Sequence, residues 1–170
     1  MDSPTPVSST VNGIEHVPAI LTFLNGIGIK TRFQKIETKT FVPGLLIENG
    51  VLLIDREKLL YPGDLLHEAG HIAVVPSAER DTLSDVTGDG NEIVAILWSY
   101  AAIKAIGLPE ELVFHEEGYK GDSKWLIESF ESENYIGLPL LEWMGFTADK
   151  QKAKLLGVPA FPHMLRWLRE

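Results

Sequence analysis

The sequence predicts an α+β protein, and three observations carry that prediction. Residues Ile14 to Leu24 place apolar side chains (Ile14, Val17, Ile20, Leu21, Leu24) at helical spacing. Asn49-Gly50 stands between two apolar runs, the strongest short-range signal for a β-hairpin. From Glu92 onward, caps, helical periodicity and Gly/Pro punctuation mark one helix after another to the end of the chain.

Taken in order, residues 1–12 are rich in Ser, Thr and Pro and read as a flexible tail, leaving 13–170 as a single domain large enough to bury a core. The helix from Ile14 leads to a strand over Ile29 to Ile36. Gly44 to Glu48 and Val51 to Asp55 form the arms of the hairpin. A helix follows, with Pro62 at or near its first turn and Asp64 as start signals and Pro76 as its stop. Asn91 or Asp89 caps a helix from Glu92 to Ile106, closed by Gly107-Leu108-Pro109. The remaining expected helices are Pro109 to Phe114, Lys124 to Phe130 starting near Ser123, Leu138 to Met144, a Thr147-capped segment to Leu156, and a last one opened by Pro162 and running to Glu170. Together they make a helical lobe, and a cleft between lobe and sheet could hold substrate.

Composition narrows the function classes. The formal net charge of −9 argues against nucleic acid as a partner, since phosphate binding needs a concentrated positive field. Lys150, Lys152, Lys154, Arg166 and Arg169 make the C-terminus locally basic, which reads as a solvated face. There are no cysteines, so disulfides and thiolate zinc sites are excluded. No apolar segment approaches the ~20 residues needed to span a membrane, and Met1 to Pro6 lack a basic stretch followed by an apolar run; a cytoplasmic location is expected. Asp85 to Gly90 begins like a calcium loop, but its twelfth position, where a bidentate glutamate is required, is Ile96. His16 and His163 have no partners at ligand spacing. The tryptophans Trp98, Trp125, Trp143 and Trp167 lie in helical segments and are expected in the core.

One pentapeptide carries chemistry: His67-Glu68-Ala69-Gly70-His71. On a helix, positions i and i+4 share a face, so both imidazoles can point at one metal ion. Glu68 sits about 100° around the helix from His67, where it can reach a water on that ion without displacing it. Two neutral imidazoles suit Zn²⁺. Leu65, Leu66 and Ile72 to Val75 flank the group with apolar residues, and polar groups in such a segment need partners that a metal would supply together. The plainer reading is a surface helix with solvated or backbone-bonded histidines. Gly70 costs helix stability, which is explained by close approach of another backbone or by tight packing alone.

A catalytic zinc usually has three protein ligands. Six residues beyond His71 stands Ser77, so a third histidine is absent there; the next candidate is Glu92, in the first turn of its helix. Considered alone, Glu92 is better explained by favourable placement at the positive end of that helix.

The His67-Glu68-Ala69-Gly70-His71 pattern with Glu92 on a second helix some twenty residues later resembles the zincin metallopeptidases, in their glutamate-liganded branch and their minimal bacterial form. The resemblance covers about residues 44 to 105. It implies a zincin-like core (an N-terminal helix, a small sheet with a β-hairpin, and the motif helix) followed by a helical C-terminal lobe. It implies Zn²⁺ bound by His67, His71 and Glu92, with Glu68 as general base. It also implies a peptide or protein substrate lying along a strand edge, in some relatives one specific regulator. The chain departs from the pattern at Ile96, where thermolysin-like relatives carry an aspartate that orients a metal histidine. Asp64, Asp85 and Asp89 are the available substitutes.

Zincins commonly add a Tyr, His or Arg donor for the oxyanion. The segment from Phe114 to Ser123 offers His115 and Tyr119, with His115 also the reserve third ligand, although an ordinary solvated loop is the favoured reading of that stretch. Tyr100 is a further donor candidate whose main expected role is core packing. The function expected is therefore zinc-dependent peptide hydrolysis. Two alternatives stand beside it: a zinc-binding regulatory module without general protease activity, and a metal-free structural domain.

Overall fold

A computed structural model describes residues 13–84 and 90–170. The expected tail at 1–12, Asp85, Asp89 and most of the calcium-like loop lie outside the described residues.

A 3₁₀ turn over Ile14–His16 runs into α1 (Val17–Gly26), which buries Ile20 and Leu24, one turn apart on one face. Then come β1 (Lys30–Phe33), β2 (Leu45–Glu48) and β3 (Val51–Ile54), forming a sheet of order β1-β3-β2. β1 runs parallel to β3, with Lys30 opposite Val51; β2 pairs antiparallel, with Glu48 opposite Val51. The expected hairpin is present. Asn49 (φ 49°) and Gly50 (φ 72°) both take left-handed backbone, as a two-residue type I′ turn requires. A Cβ on Gly50 would lie 2.3 Å from the Arg80 carbonyl oxygen, so the turn is wedged against the backbone of Arg80 and Asp81. β3 is central, and Leu52, Leu53 and Ile54 are all buried, as expected of a strand covered on both faces.

β1 is shorter than the strand expected over Ile29 to Ile36. Gln34 N–H still donates to Ile54 O, but the Ile36 N–H is taken by the Asp55 carboxylate (2.9 Å), which ends the ladder.

α2 (Asp64–Val74) carries the pentapeptide. It ends where Val75 turns extended (ψ 147°) before Pro76, a residue that disfavours helical backbone ahead of it. The short α3 (Ser77–Arg80) presents Arg80, whose guanidinium donates to the carbonyls of Ile72 (3.3 Å), Val75 (3.1 Å) and Arg169. α4 (Glu92–Ile106) matches its expected span, and Gly107 (φ 80°) closes it in left-handed conformation. Its buried residues surround the helix, from Val94 and Ala95 through Trp98 to Ile103, because α4 is the central element of the core.

The helical lobe contains α5 (Ser123–Glu131), α6 (Leu138–Trp143) and α7 (Lys150–Leu156), with single 3₁₀ turns at Glu110–Leu112 and Tyr119–Gly121. Three expectations are corrected here. The Pro109 to Phe114 segment is a 3₁₀ turn, not an α-helix. Asp149, not Thr147, caps α7, accepting from Lys152 N–H (2.8 Å); the Thr147 hydroxyl instead donates to His163 O (2.7 Å). No helix follows Pro162. The backbone there bonds to the rest of the molecule rather than to itself: Leu165 N–H donates to Phe146 O, Arg169 N–H to Ala73 O, and Trp167 O accepts from the Trp98 indole. Of the tryptophans, Trp98 is in the core, whereas Trp125 (52% exposed) and Trp143 (73%) are not, since α5 and α6 turn Leu126, Phe130 and Leu141 inward instead. No described helix is long and apolar enough to cross a membrane.

Candidate metal centre

Gly70 sets the geometry of the site. A Cβ there would meet Ala95 O at 2.9 Å and Ala95 Cα at 3.2 Å, so the glycine lets the α4 backbone lie directly against α2. Ala95 is one turn beyond Glu92. The contact therefore brings the first turn of α4 over the histidine face of α2, and close backbone approach is the reason for a glycine in this helix.

The result is a group of three ligand-type side chains. His67 Nε2 lies 3.2 Å from Glu92 Oε1, His71 Nε2 lies 3.1 Å from Glu92 Oε2, and the two Nε2 atoms are 3.3 Å apart. The rings meet edge to face at 89°. One atom from each of the three residues fits within 4.8 Å of the others, so the group could hold a metal ion. His71 is nearly inaccessible (5% exposed) while the Glu92 side chain is 57% exposed, so the group is closed from behind and open on the Glu92 side. Contact with His67, then with His71, holds the Glu92 carboxyl far below the usual carboxylate range. Burial pushes the neighbouring Glu68 carboxyl upward, partly offset by the two histidines.

His67 Nδ1 is buried and has no hydrogen-bond partner among the described residues. Asp64, a candidate to orient a metal histidine, is engaged elsewhere: its Oδ1 lies 2.7 Å from His115 Nε2. His115 is thus outside the metal group but beside it, stacked on Tyr61 with ring centroids 3.8 Å apart. Gly63 makes this pairing possible, since a Cβ there would fall 1.7 Å from Leu112 O; the chain leading to His115 packs onto the start of α2.

Tyr119 stands edge-on to His67 (centroids 5.4 Å, 88°). Its phenol is buried without a geometrically sound hydrogen bond, and burial, followed by Asp64 and Glu92, raises its pKa well above the usual value. Ser99 pulls weakly the other way, though its hydroxyl donates to Ile96 O (2.7 Å). Tyr119 and Lys120 both adopt left-handed backbone (φ 54° and 55°), a conformation that costs non-glycine residues of order 1–3 kcal/mol each. The Ser123 hydroxyl, bonded to His115 O (2.6 Å), helps to hold the bend. The loop read as solvated is folded against α2. Tyr100, by contrast, lies among Phe114, Phe130, Tyr135 and Phe161 in the core.

A cavity of about 470 Å³ opens over this group, lined by Asp64, His67, Glu92, His115 and Tyr119 and walled by Phe41, Val42, Pro43 and Tyr61. Sequence reasoning did not single out Tyr61 or the 41–43 segment. Tyr61-Pro62-Gly63 offered only the glycine as a sign of close packing.

The described residues thus form an α+β fold in which two helices bring together a His/His/Glu group able to hold a metal ion. No family model, curated protein or solved structure matches the chain.

Proposed function

We propose that this chain is a zinc-dependent metallopeptidase with a zincin-like core. The observation that carries the reading is the spacing of the three donors. Tetrahedral zinc with nitrogen and oxygen bonds of about 2.0–2.1 Å places its ligand atoms about 3.3 Å apart. The two imidazole nitrogens stand 3.3 Å apart, and each contacts a different oxygen of Glu92 at 3.1 to 3.2 Å. One donor atom from each of the three residues lies within 4.8 Å of the others, a grouping that small side-chain adjustments bring to that spacing. Two imidazoles, one carboxylate and an accessible fourth side suit a catalytic zinc site.

When bound, zinc would acidify a water and polarise a peptide carbonyl. The residues of the chain do the rest. Glu68 takes a proton from the water and delivers it to the leaving amine. Tyr119 and His115 line the cavity and are the donors proposed for the negative oxygen that develops on the carbonyl. With His115 Nε2 held by Asp64, and with the Tyr119 hydroxyl and His115 Nδ1 buried, this role requires side-chain movement when substrate binds. The outer edge of β2 pairs with no strand among the described residues, and it offers main-chain hydrogen bonds to an extended peptide.

A second reading has its own support. Glu92 bridges both imidazoles without help, and among the described residues His67 Nδ1 meets no acceptor of the kind that usually orients a metal-bound histidine. On that reading the group is a structural ion-pair cluster. Metal content of untagged protein separates the two. The metallopeptidase reading expects about one zinc per chain, lost in His67→Ala and weakened in Glu92→Ala. Absence of zinc after incubation at neutral pH sinks it.

A further inference from the structure

The segment 41–43 is apolar, prominent and firmly held. Phe41 is 88% exposed, more than any other large hydrophobic side chain among the described residues. An exposed phenylalanine on a loose loop would carry no meaning, but this loop is pinned. The Thr40 hydroxyl donates to Val42 O (2.6 Å), Leu45 N–H donates to the same carbonyl (3.2 Å), and Asp55 N–H donates to Gly44 O (2.8 Å). Gly44 has φ 77°, and a Cβ on it would lie 2.4 Å from Leu59 N, so the backbone behind the ledge is locked against the 58–59 turn.

The location gives the ledge a role. Phe41, Val42 and Pro43 wall the same cavity as His67 and Glu92, with Tyr61 and Tyr119 also in its lining. The ledge leads directly into β2, whose outer edge pairs with no strand among the described residues, although its Leu45 N–H is already taken by Val42 O. A chain that enters the cavity beside the metal group meets Phe41 in its wall. Of the charged residues in the lining, Asp64 is paired with His115 and Glu92 with the two histidines, and the remaining two, Glu117 and Lys120, are of opposite sign. What the walls offer in common is apolar, largely aromatic surface.

We propose that the Phe41–Val42–Pro43 ledge is the specificity wall of this site, that the substrate is a peptide bearing a large apolar side chain beside the cleaved bond, and that Phe41 selects it. This rests on the metallopeptidase reading, so the test separates the two. Zinc-loaded full-length protein and its Phe41→Ala variant are titrated calorimetrically with acetohydroxamate, which reports the metal alone, and with the hydroxamates of N-acetylated phenylalanine, leucine, serine and aspartate. The phenylalanine compound is expected to bind about 10-fold or more tightly than the serine one, within the range that apolar pockets achieve. In Phe41→Ala that ratio falls to about 3-fold or less, while acetohydroxamate affinity and zinc content are unchanged. Equal binding of all side chains to the parent protein, or a preference that survives in Phe41→Ala, overturns the proposal and leaves the metal site standing. Failure to hold zinc or acetohydroxamate overturns both.

Discussion

Two stretches of α2 meet the rest of the molecule in opposite ways. At its C-terminal turn the backbone carbonyls are taken up: Arg80 reaches Ile72 and Val75, and Arg169 reaches Ala73 through its amide and Val74 through its guanidinium. One turn earlier, His67 and His71 turn their Nε2 atoms toward each other and toward one carboxylate on a different helix. The first stretch uses polar groups to close a helix end, which supports stability. The second gathers polar groups on one face and leaves the Glu92 side open, the arrangement on which the metal proposal rests. A single helix thus carries an end closed by the rest of the molecule and a middle that borders a cavity, and substitutions should separate them.

The largest effect expected is in the open stretch. Glu68→Gln should lower peptide hydrolysis by about 10²–10⁴-fold, the range for losing a general base, with zinc content and melting temperature unchanged. A comparable loss of stability would show instead that Glu68 belongs to the structural side of the comparison. Gly70→Ala should act on both stretches at once. The added methyl gains helix propensity but meets backbone atoms of Ala95 that cannot swing aside. Overpacking of this kind costs about 1–3 kcal/mol, and α4 should shift enough to weaken zinc binding in equilibrium dialysis. Unchanged zinc affinity would mean that helix spacing does not position Glu92. Arg80→Ala should cost about 1–2 kcal/mol in urea denaturation, from lost hydrogen bonds to carbonyls, without altering zinc affinity.

The smallest effect is a pH dependence far from both stretches. Asp55 accepts from the amides of Ile36 and Glu57, and the first of these contacts chiefly lowers its pKa, against the effect of burial. A depressed folded-state value means that its contribution is present above the ordinary value of 3.8 and is lost as pH falls through the folded value. The gap between parent and Asp55→Asn urea midpoints should therefore be constant from pH 7 to about 5 and narrow below about 4. A gap that persists at pH 2 would place the contribution in packing.

What the sequence revealed was what is encoded locally. Asn49-Gly50 announces the hairpin because two left-handed residues in succession admit few side chains. The Glu92 helix is bounded by a start and by Gly107. The histidine pair follows from helical spacing alone. The Asp64–His115 contact was invisible because 51 residues separate its members, and no periodicity links them. Thr147 was expected to cap α7, but its hydroxyl is engaged by His163 O and Asp149, two residues on, caps the helix instead. The final segment carried a helix-opening proline, yet tertiary partners claimed its backbone. The exposed ledge at Phe41 had no pattern to announce it, since its meaning lies entirely in what stands opposite.

The wedged turn at Gly50 has a consequence for reading a bound chain. Gly50 N–H is tied to Leu83 O (2.8 Å) and Asn49 N–H to the Ser84 hydroxyl (3.0 Å), so the tip of the hairpin is anchored at both of its residues. Sliding β2 by one residue would break both anchors and turn Ile47 out of the core. The strand is therefore a ruler with a nailed zero. A peptide paired with it would be measured off in steps of two residues from a fixed mark, and the bond delivered to the histidines would be chosen by counting along the chain as well as by the shape of any one side chain.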